Sequence, residues 1–297
     1  MDNAQKMLRC FLMAMLCWFH AAVPAAAACS ETGVQLQILG AGGPGSSGGS
    51  ASSGYLVWVD GVGRILIDAG GGTKGPFHEA GASLTDLRFI GLSHFHPDHS
   101  AELPALLWPR GATLRIAGPS ESDSFPSLDD WLEGMFGADG VFRVLGDRIE
   151  LDGLTVDVTT GESTEVFRDG DLRVAGTGVP HGDVPTVGYR VDVGGASVAF
   201  SSDQNGSNPR FVEFVRGVDL LVVHFAGRED STGRGAELHA KPSVWGQMAT
   251  DAGVGHLVLS HISDASGEAL EANLRPLRAN YTGPLTLGED LLCINVG

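Results

Sequence analysis

The segment SHFHPDHSAELP, residues 93–104, packs three histidines and an aspartate into six positions directly after the apolar run LRFIGL. Each unpaired polar group at the end of a buried strand costs free energy, so so dense a set of nitrogen and oxygen donors asks for a cation. His94 and His96 lie two apart and point to the same side if the chain is still extended, whereas Pro97 bends the chain and can turn Asp98 and His99 toward a second point. Four donors on one loop can thus serve two neighbouring ions. Imidazole and carboxylate ligands suit zinc, and with no cysteine nearby the set reads as an open catalytic site rather than a closed structural one.

A site for two ions needs further donors. Three stand at the ends of other apolar strands: His181 in GTGVPHGD, Asp203 in VAFSSDQNG and His261 in LVLSHIS. Short β-type runs (VQLQIL, GYLVWV, RILIDAG, RFIGLSH, then LRVAGTGVPH, VGYRVDV, SVAFSSD, LLVVHF, HLVLSH, LLCINV) fill both halves of the chain. Helical patterns lie between them at 126–137, 209–217, 241–253 and 266–281, each started by Ser, Pro or Asn or ended by Gly or Pro. Two similar halves of mixed strands and helices suggest two sheets covered by helices. No break in composition marks a linker, so a single domain is expected from about residue 30 to 297. The glycine-rich stretch at 39–54 lacks the Gly-Lys-Ser/Thr ending of a phosphate loop and reads as a loop edging a pocket.

The ordered set His-x-His-x-Asp-His, then a distant His, Asp and His, resembles the metallo-β-lactamase superfamily across essentially the whole chain after residue 30. That resemblance implies an α/β fold, the αββα four-layer sandwich of two mixed sheets flanked by helices. It implies that His94, His96 and His181 bind one metal, that Asp98, His99 and His261 bind the other, and that Asp203 bridges them. The implied cofactor is two zinc ions, which would acidify a shared water and polarise the substrate. Asp98 would also orient that water or take its proton, and Asp68 in LIDAG matches an aspartate that supports the ligands from behind.

The opening LQILGAGGPGSSGGSASSGYLV, the stretch DHSAELPALL and the closing LRANYTGPLTLGEDLLCINV look like the ribonuclease Z and arylsulfatase-like branch, which cleaves phosphodiesters and sulfate or carboxylic esters. In that branch a histidine followed closely by Ser or Thr serves the leaving group. His239 matches in part, with Lys241 and Pro242 where the branch usually has other residues. His224 aligns with a histidine of the branch, but Phe225 replaces the glutamate that would pair with the donor, so His224 reads as core or ligand support. His78 and His256 read as structural.

The formal charge is −17, which argues against nucleic acid as the main partner, and residues 136–171 carry more acidic than basic side chains, with no basic Gly/Pro-rich arm of the kind transfer-RNA enzymes use. The expected substrate is therefore a small ester, sulfate ester or phosphodiester. A ribonuclease Z-like endonuclease of tRNA 3′ ends and a non-catalytic metal-binding module remain as alternatives, and a homo-oligomer is compatible with all three. Lys6 and Arg9, the apolar run from Phe11 to Val23 and the small residues before Cys29 follow the order of a secretory signal peptide over residues 1–28, which implies a periplasmic or extracellular protein. Cys29 could carry a lipid anchor, or it could bridge to Cys293 if their strands are adjacent.

Overall fold

The computed structural model describes residues 29–44, 49–109, 113–262 and 267–297; the expected signal peptide lies outside them. One sheet runs in the order β14 (Cys293–Asn295), β1 (Val34–Gly40), β2 (Gly54–Val59), β3 (Val62–Ile67), β4 (Phe89–Gly91), β5 (Thr113–Pro119), β6 (Glu150–Val156). The other runs β13 (Leu285–Leu287), β12 (His256–Ser260), β11 (Leu220–His224), β10 (Ala196–Phe200), β9 (Val184–Val193), β8 (Leu172–His181), β7 (Ser163–Asp169). In the first, β14 to β3 pair antiparallel and β3 to β6 parallel. The second has the same plan, with β13 to β10 parallel and β10 to β7 antiparallel.

Both faces of each sheet are covered. Along β11, Leu220 and Val222 face the other sheet while Leu221 and Val223 face helices. Burial on both faces makes such strands read as continuous apolar runs. Between the sheets pack Leu36, Ile38, Tyr55, Val57 and Phe89 from one side against Val187, Tyr189, Phe200 and Val258 from the other. Helices α1 (Lys74–Glu79), α3 (Leu103–Leu107) and α4 (Leu128–Phe136) lay Phe77, Leu103, Leu107 and Leu128 on the outside of the first sheet. Helices α5 (Pro209–Phe214), α7 (Pro242–Ala252) and α8 (Gly267–Asn280) lay Phe211, Trp245, Met248 and Leu277 on the second. The result is the expected αββα sandwich.

The helix ends follow local chemistry. The Ser127 hydroxyl accepts from Asp130 N at 3.2 Å ahead of α4, and Asn208 accepts from Arg210 N ahead of α5. Pro242 opens α7, and Gly253, at φ 66°, closes it with its N–H on Ala249 and Thr250 carbonyls. Strands β5, β6 and β7 are not anticipated by the sequence patterns. β6 contains Gly153 and is mostly half-exposed or exposed, and β7 buries only Val166, so neither edge strand carries a strong apolar rhythm.

Cys29 forms a disulfide with Cys293 on β14. Of the two possibilities for Cys29, a lipid anchor or a bridge, the structure holds the bridge, and a sulfur so bonded has no valence left for a thioether. Among the described residues no helix is long and apolar enough to cross a membrane. The bond joins residues 264 positions apart. Tethering so long a loop restricts the unfolded chain, so Cys293→Ser is expected to lower the unfolding free energy by about 2–4 kcal/mol in urea titrations. Identical transition midpoints for Cys293→Ser and the oxidised wild-type protein would contradict it.

Candidate metal centre

The segment after β4 is aimed by its backbone. His96 is extended (φ −63°, ψ 145°), Pro97 opens the short helix α2 (Pro97–Ser100), and the chain turns between the two histidine pairs. His94 and His96 accordingly face His181, while Asp98 and His99 face His261. Two bonds tie this segment to the opposite sheet: Val187 N donates to Ser93 O at 2.9 Å and Tyr189 Oη donates to Leu92 O at 2.9 Å. Three non-glycine residues at the site have positive φ: Asp68 at 60°, Ser202 at 54° and His261 at 52°. Each follows a buried strand, so the strained turn aims a polar side chain across the strand ends.

All seven expected ligands converge. His94 Nε2 lies 3.0 Å from His96 Nδ1, and these two with His181 form one cluster of donor atoms. On the other side, Asp98 Oδ2 lies 3.5 Å from His99 Nε2 and 3.2 Å from His261 Nε2. Asp203 stands between the sets: Oδ2 is 3.6 Å from His181 Nε2 and 3.7 Å from His99 Nε2, and Oδ1 is 3.6 Å from His261 Nε2. Two ligands on a tetrahedral ion with bonds of roughly 2.0–2.2 Å stand about 3.4 Å apart. The separations of 3.5–3.7 Å match that geometry and are too long for hydrogen bonds, while those of 3.0 and 3.2 Å are hydrogen-bond lengths. His99 Nε2 and His181 Nε2 are buried with no hydrogen-bond partner. These residues therefore fit a metal.

Outer contacts select which ring nitrogen is free. Asp68 Oδ2 is 2.8 Å from His99 Nδ1, and its two oxygens also accept from Ser93 N and Ser93 Oγ. Leu238 O is 2.8 Å from His181 Nδ1. Both rings thus present Nε2 to the centre, the pattern of ligating histidines held from behind. Asp68 takes the supporting position expected of it.

Burial and neighbouring charges favour the ligating form at five of these groups and oppose it at His99. Burial pushes His94, His96 and His181 below the usual histidine range, so they are neutral and have lone pairs to give. Burial would raise Asp203, but His261 and His99 hold its carboxyl well below the usual range. Burial also opposes ionisation of Asp98, and the hydrogen bond from His261 and the proximity of His99 bring it down to about 2. At His99 the burial effect is outweighed by Asp68 and Asp203, which raise it to about 9.

His239 also lies at the site. Its Nδ1 is 4.0 Å from Asp203 Oδ2 and has no hydrogen-bond partner, its ring is 5.2 Å from that of His181, and burial lowers it to about 4. His256 instead pairs with Thr286 Oγ1 at 2.9 Å, away from the cluster, and His78 packs its ring against Phe77. Several site residues gave no signal in the sequence. Tyr55 and Ser260 meet His224 at the centre, and Asp290 accepts from Ala41 N and Ala51 N at 2.9 and 2.7 Å, pinning both ends of the glycine-rich loop. These contacts join positions roughly 170 to 250 apart, beyond the reach of any local pattern.

The model of the β-lactamase superfamily domain matches residues 63–262. The chain belongs to the metallo-β-lactamase superfamily. It is 30% identical over 256 residues to the uncharacterized protein Rv1339 of Mycobacterium tuberculosis, covering 85% of this chain and 88% of that one. It is also 30% identical over 293 residues to a ribonuclease Z of Synechococcus, covering 78% and 86%. The crystal structure of human tRNase Z, short form, superposes with a TM-score of 0.66 at 21% identity, covering 89% of this chain and 99% of that one. The chain is thus a metal-dependent hydrolase of ester bonds in the ribonuclease Z branch, which leaves the non-catalytic module without support.

The relatives overturn the expectation that excluded nucleic acid. Ribonuclease Z proteins are among the chain's relatives, and they point to nucleic acid as a substrate class. The net charge misled because it averages over a whole surface, whereas a substrate meets one face of it.

Gly43 packs against the ring of His261, so a Cβ added there would lie 2.6 Å from His261 Cε1. Gly43→Ala must displace that ring, and a misplacement of about 1 Å in a catalytic constellation costs on the order of a hundredfold. The expected result is a fall of that order in kcat/KM for phosphodiester hydrolysis with an unchanged circular dichroism spectrum; full activity would show that His261 is not held as described.

Proposed function

We propose that the protein is a phosphodiesterase of the ribonuclease Z kind that uses two zinc ions to cleave a phosphodiester of RNA. One observation carries this reading: two sets of donor atoms flank Asp203, His94, His96 and His181 on one side and Asp98, His99 and His261 on the other, with Asp203 contacts of 3.6–3.7 Å. When bound, such a pair of ions supplies an acidified water and an electrophile for the phosphoryl oxygen. The ribonuclease Z relatives support a phosphodiester as the bond cleaved.

The side chains divide the remaining work. Asp98, ionised at neutral pH, orients the attacking water through its carboxylate. His239 is neutral and keeps one ring N–H, which suits it to hold the charge that develops on the leaving oxygen. Asp203 holds the two ligand sets in register.

Export is part of the proposal. The signal-like order of residues 1–28 and the Cys29–Cys293 bond both fit an oxidising compartment. An exported enzyme meets phosphodiesters outside the cytoplasm, and residues 136–171 are taken up by the end of α4, a 3-10 turn at Arg143–Leu145 and the edge strands β6 and β7 rather than by a separate arm. These two features favour a second reading with the same chemistry on a short phosphodiester.

Precursor tRNA, bis-p-nitrophenyl phosphate, p-nitrophenyl acetate and an aryl sulfate separate the substrates. Hydrolysis of the phosphodiesters is expected, lost on treatment with a chelator and restored by zinc. His239→Ala should lower kcat about a hundredfold or more with little change in KM. Cleavage of the carboxylic or sulfate ester alone would sink the phosphodiesterase reading.

A further inference from the structure

His224 lies at the end of β11 with its ring wholly buried, and neither the metal-ligand pattern nor the chemistry above uses it. Its Nδ1 is 2.8 Å from Asp203 Oδ1. That distance decides its role. Two ligands of one tetrahedral ion stand about 3.4 Å apart, as the other contacts of Asp203 do at 3.6–3.7 Å, whereas 2.8 Å is the length of a charge-assisted hydrogen bond. A carboxylate oxygen accepts, so Nδ1–H of His224 is the donor. The ring's other nitrogen, Nε2, is 3.1 Å from Tyr55 Oη, and Ser260 Oγ lies 2.9 Å from the same hydroxyl. Tyr55 is on β2 of the first sheet, while His224 and Ser260 end neighbouring strands of the second. The rings of His224 and His261 stack at 4.9 Å, so His224 also backs a second member of the centre.

We propose that Tyr55 and His224 are positioning residues: a buried chain of contacts from Tyr55 through His224 to Asp203 Oδ1 locks the carboxylate in the orientation that sets Oδ2 between His181 and His99 and Oδ1 beside His261. The inference rests on the reading that Asp203 is a metal ligand. A carboxylate on a short side chain can rotate about its terminal bond, and a rotated Asp203 would move its oxygens away from these positions. The tyrosine hydroxyl makes the lock span both sheets, so the centre is assembled only when the two halves of the sandwich are packed together.

The test is zinc binding by the metal-free protein, titrated against a chromophoric chelator, with stoichiometry from elemental analysis. His224→Leu removes the donor while filling part of the space, and is expected to weaken zinc binding by roughly ten- to a hundredfold for at least one ion. His224→Asn places an amide N–H near the position of Nδ1 and should recover most of that loss, which a merely space-filling role would not allow. Tyr55→Phe, which deletes one hydroxyl, should weaken binding by less than His224→Leu. Circular dichroism and thermal melting show whether each variant is folded, and Tyr55→Phe with His224→Asn keeps the test alive if His224→Leu is not. Wild-type affinity and stoichiometry in His224→Leu, or no recovery in a folded His224→Asn, would overturn the inference. Asp203→Ala separates the two levels of the claim: if it binds zinc like the wild type, Asp203 is not a ligand and the underlying reading fails, whereas a loss there without one in His224→Leu refutes the positioning role alone.

Discussion

The structure turns on the mutual burial of imidazoles and carboxylates at the ends of strands from both sheets. His94, His99, His181, His224, His261, Asp68 and Asp203 are all nearly inaccessible to solvent. Such a group of polar side chains is stable only if each donor and acceptor has a partner. Asp68, Ser93, Leu238 and Tyr55 meet the outward-facing atoms of His99, His94, His181 and His224. The inward-facing nitrogens of His99 and His181 have no hydrogen-bond partner among the described residues, which suits them to a cation. Folding brings these side chains together, so the cost of ordering them falls on folding rather than on metal binding.

The sandwich exists, in functional terms, to bring those strand ends together. β3 and β4 carry Asp68 and the His94–His99 segment in the first sheet, while β8, β10, β11 and β12 deliver His181, Asp203, His224 and His261 in the second. Tyr189 and Val187 bond back to Leu92 and Ser93, so the first ligand segment is held by the opposite sheet. The disulfide of Cys29 with Cys293 fastens the start of the described chain to β14, beside β1. Asp290 holds Ala41 and Ala51, at the two ends of the glycine-rich stretch, and Gly43 packs against the ring of His261.

Much of the centre was legible because its signal is local. His94, His96, Asp98 and His99 sit within six residues, and His181, Asp203 and His261 each end an apolar run that is buried on both faces. The bend at Pro97 correctly divides the first four between two points. Residues that act through long-range contact were not legible: nothing beside Tyr55 or Asp290 in the sequence announces that each reaches the site. The edge strands β6 and β7 were missed because edges are half-exposed and need no apolar alternation. The nucleic-acid expectation failed for a different reason, since a bulk property was used to judge a local surface.

The central claim is that two ions share Asp203. Crystals grown with zinc and measured on both sides of the zinc absorption edge test it most directly. Two anomalous peaks roughly 3.5–4 Å apart are expected, one bounded by His94, His96 and His181 and the other by Asp98, His99 and His261, with the Asp203 carboxylate between them. A single peak, or a pair displaced from Asp203, would contradict it.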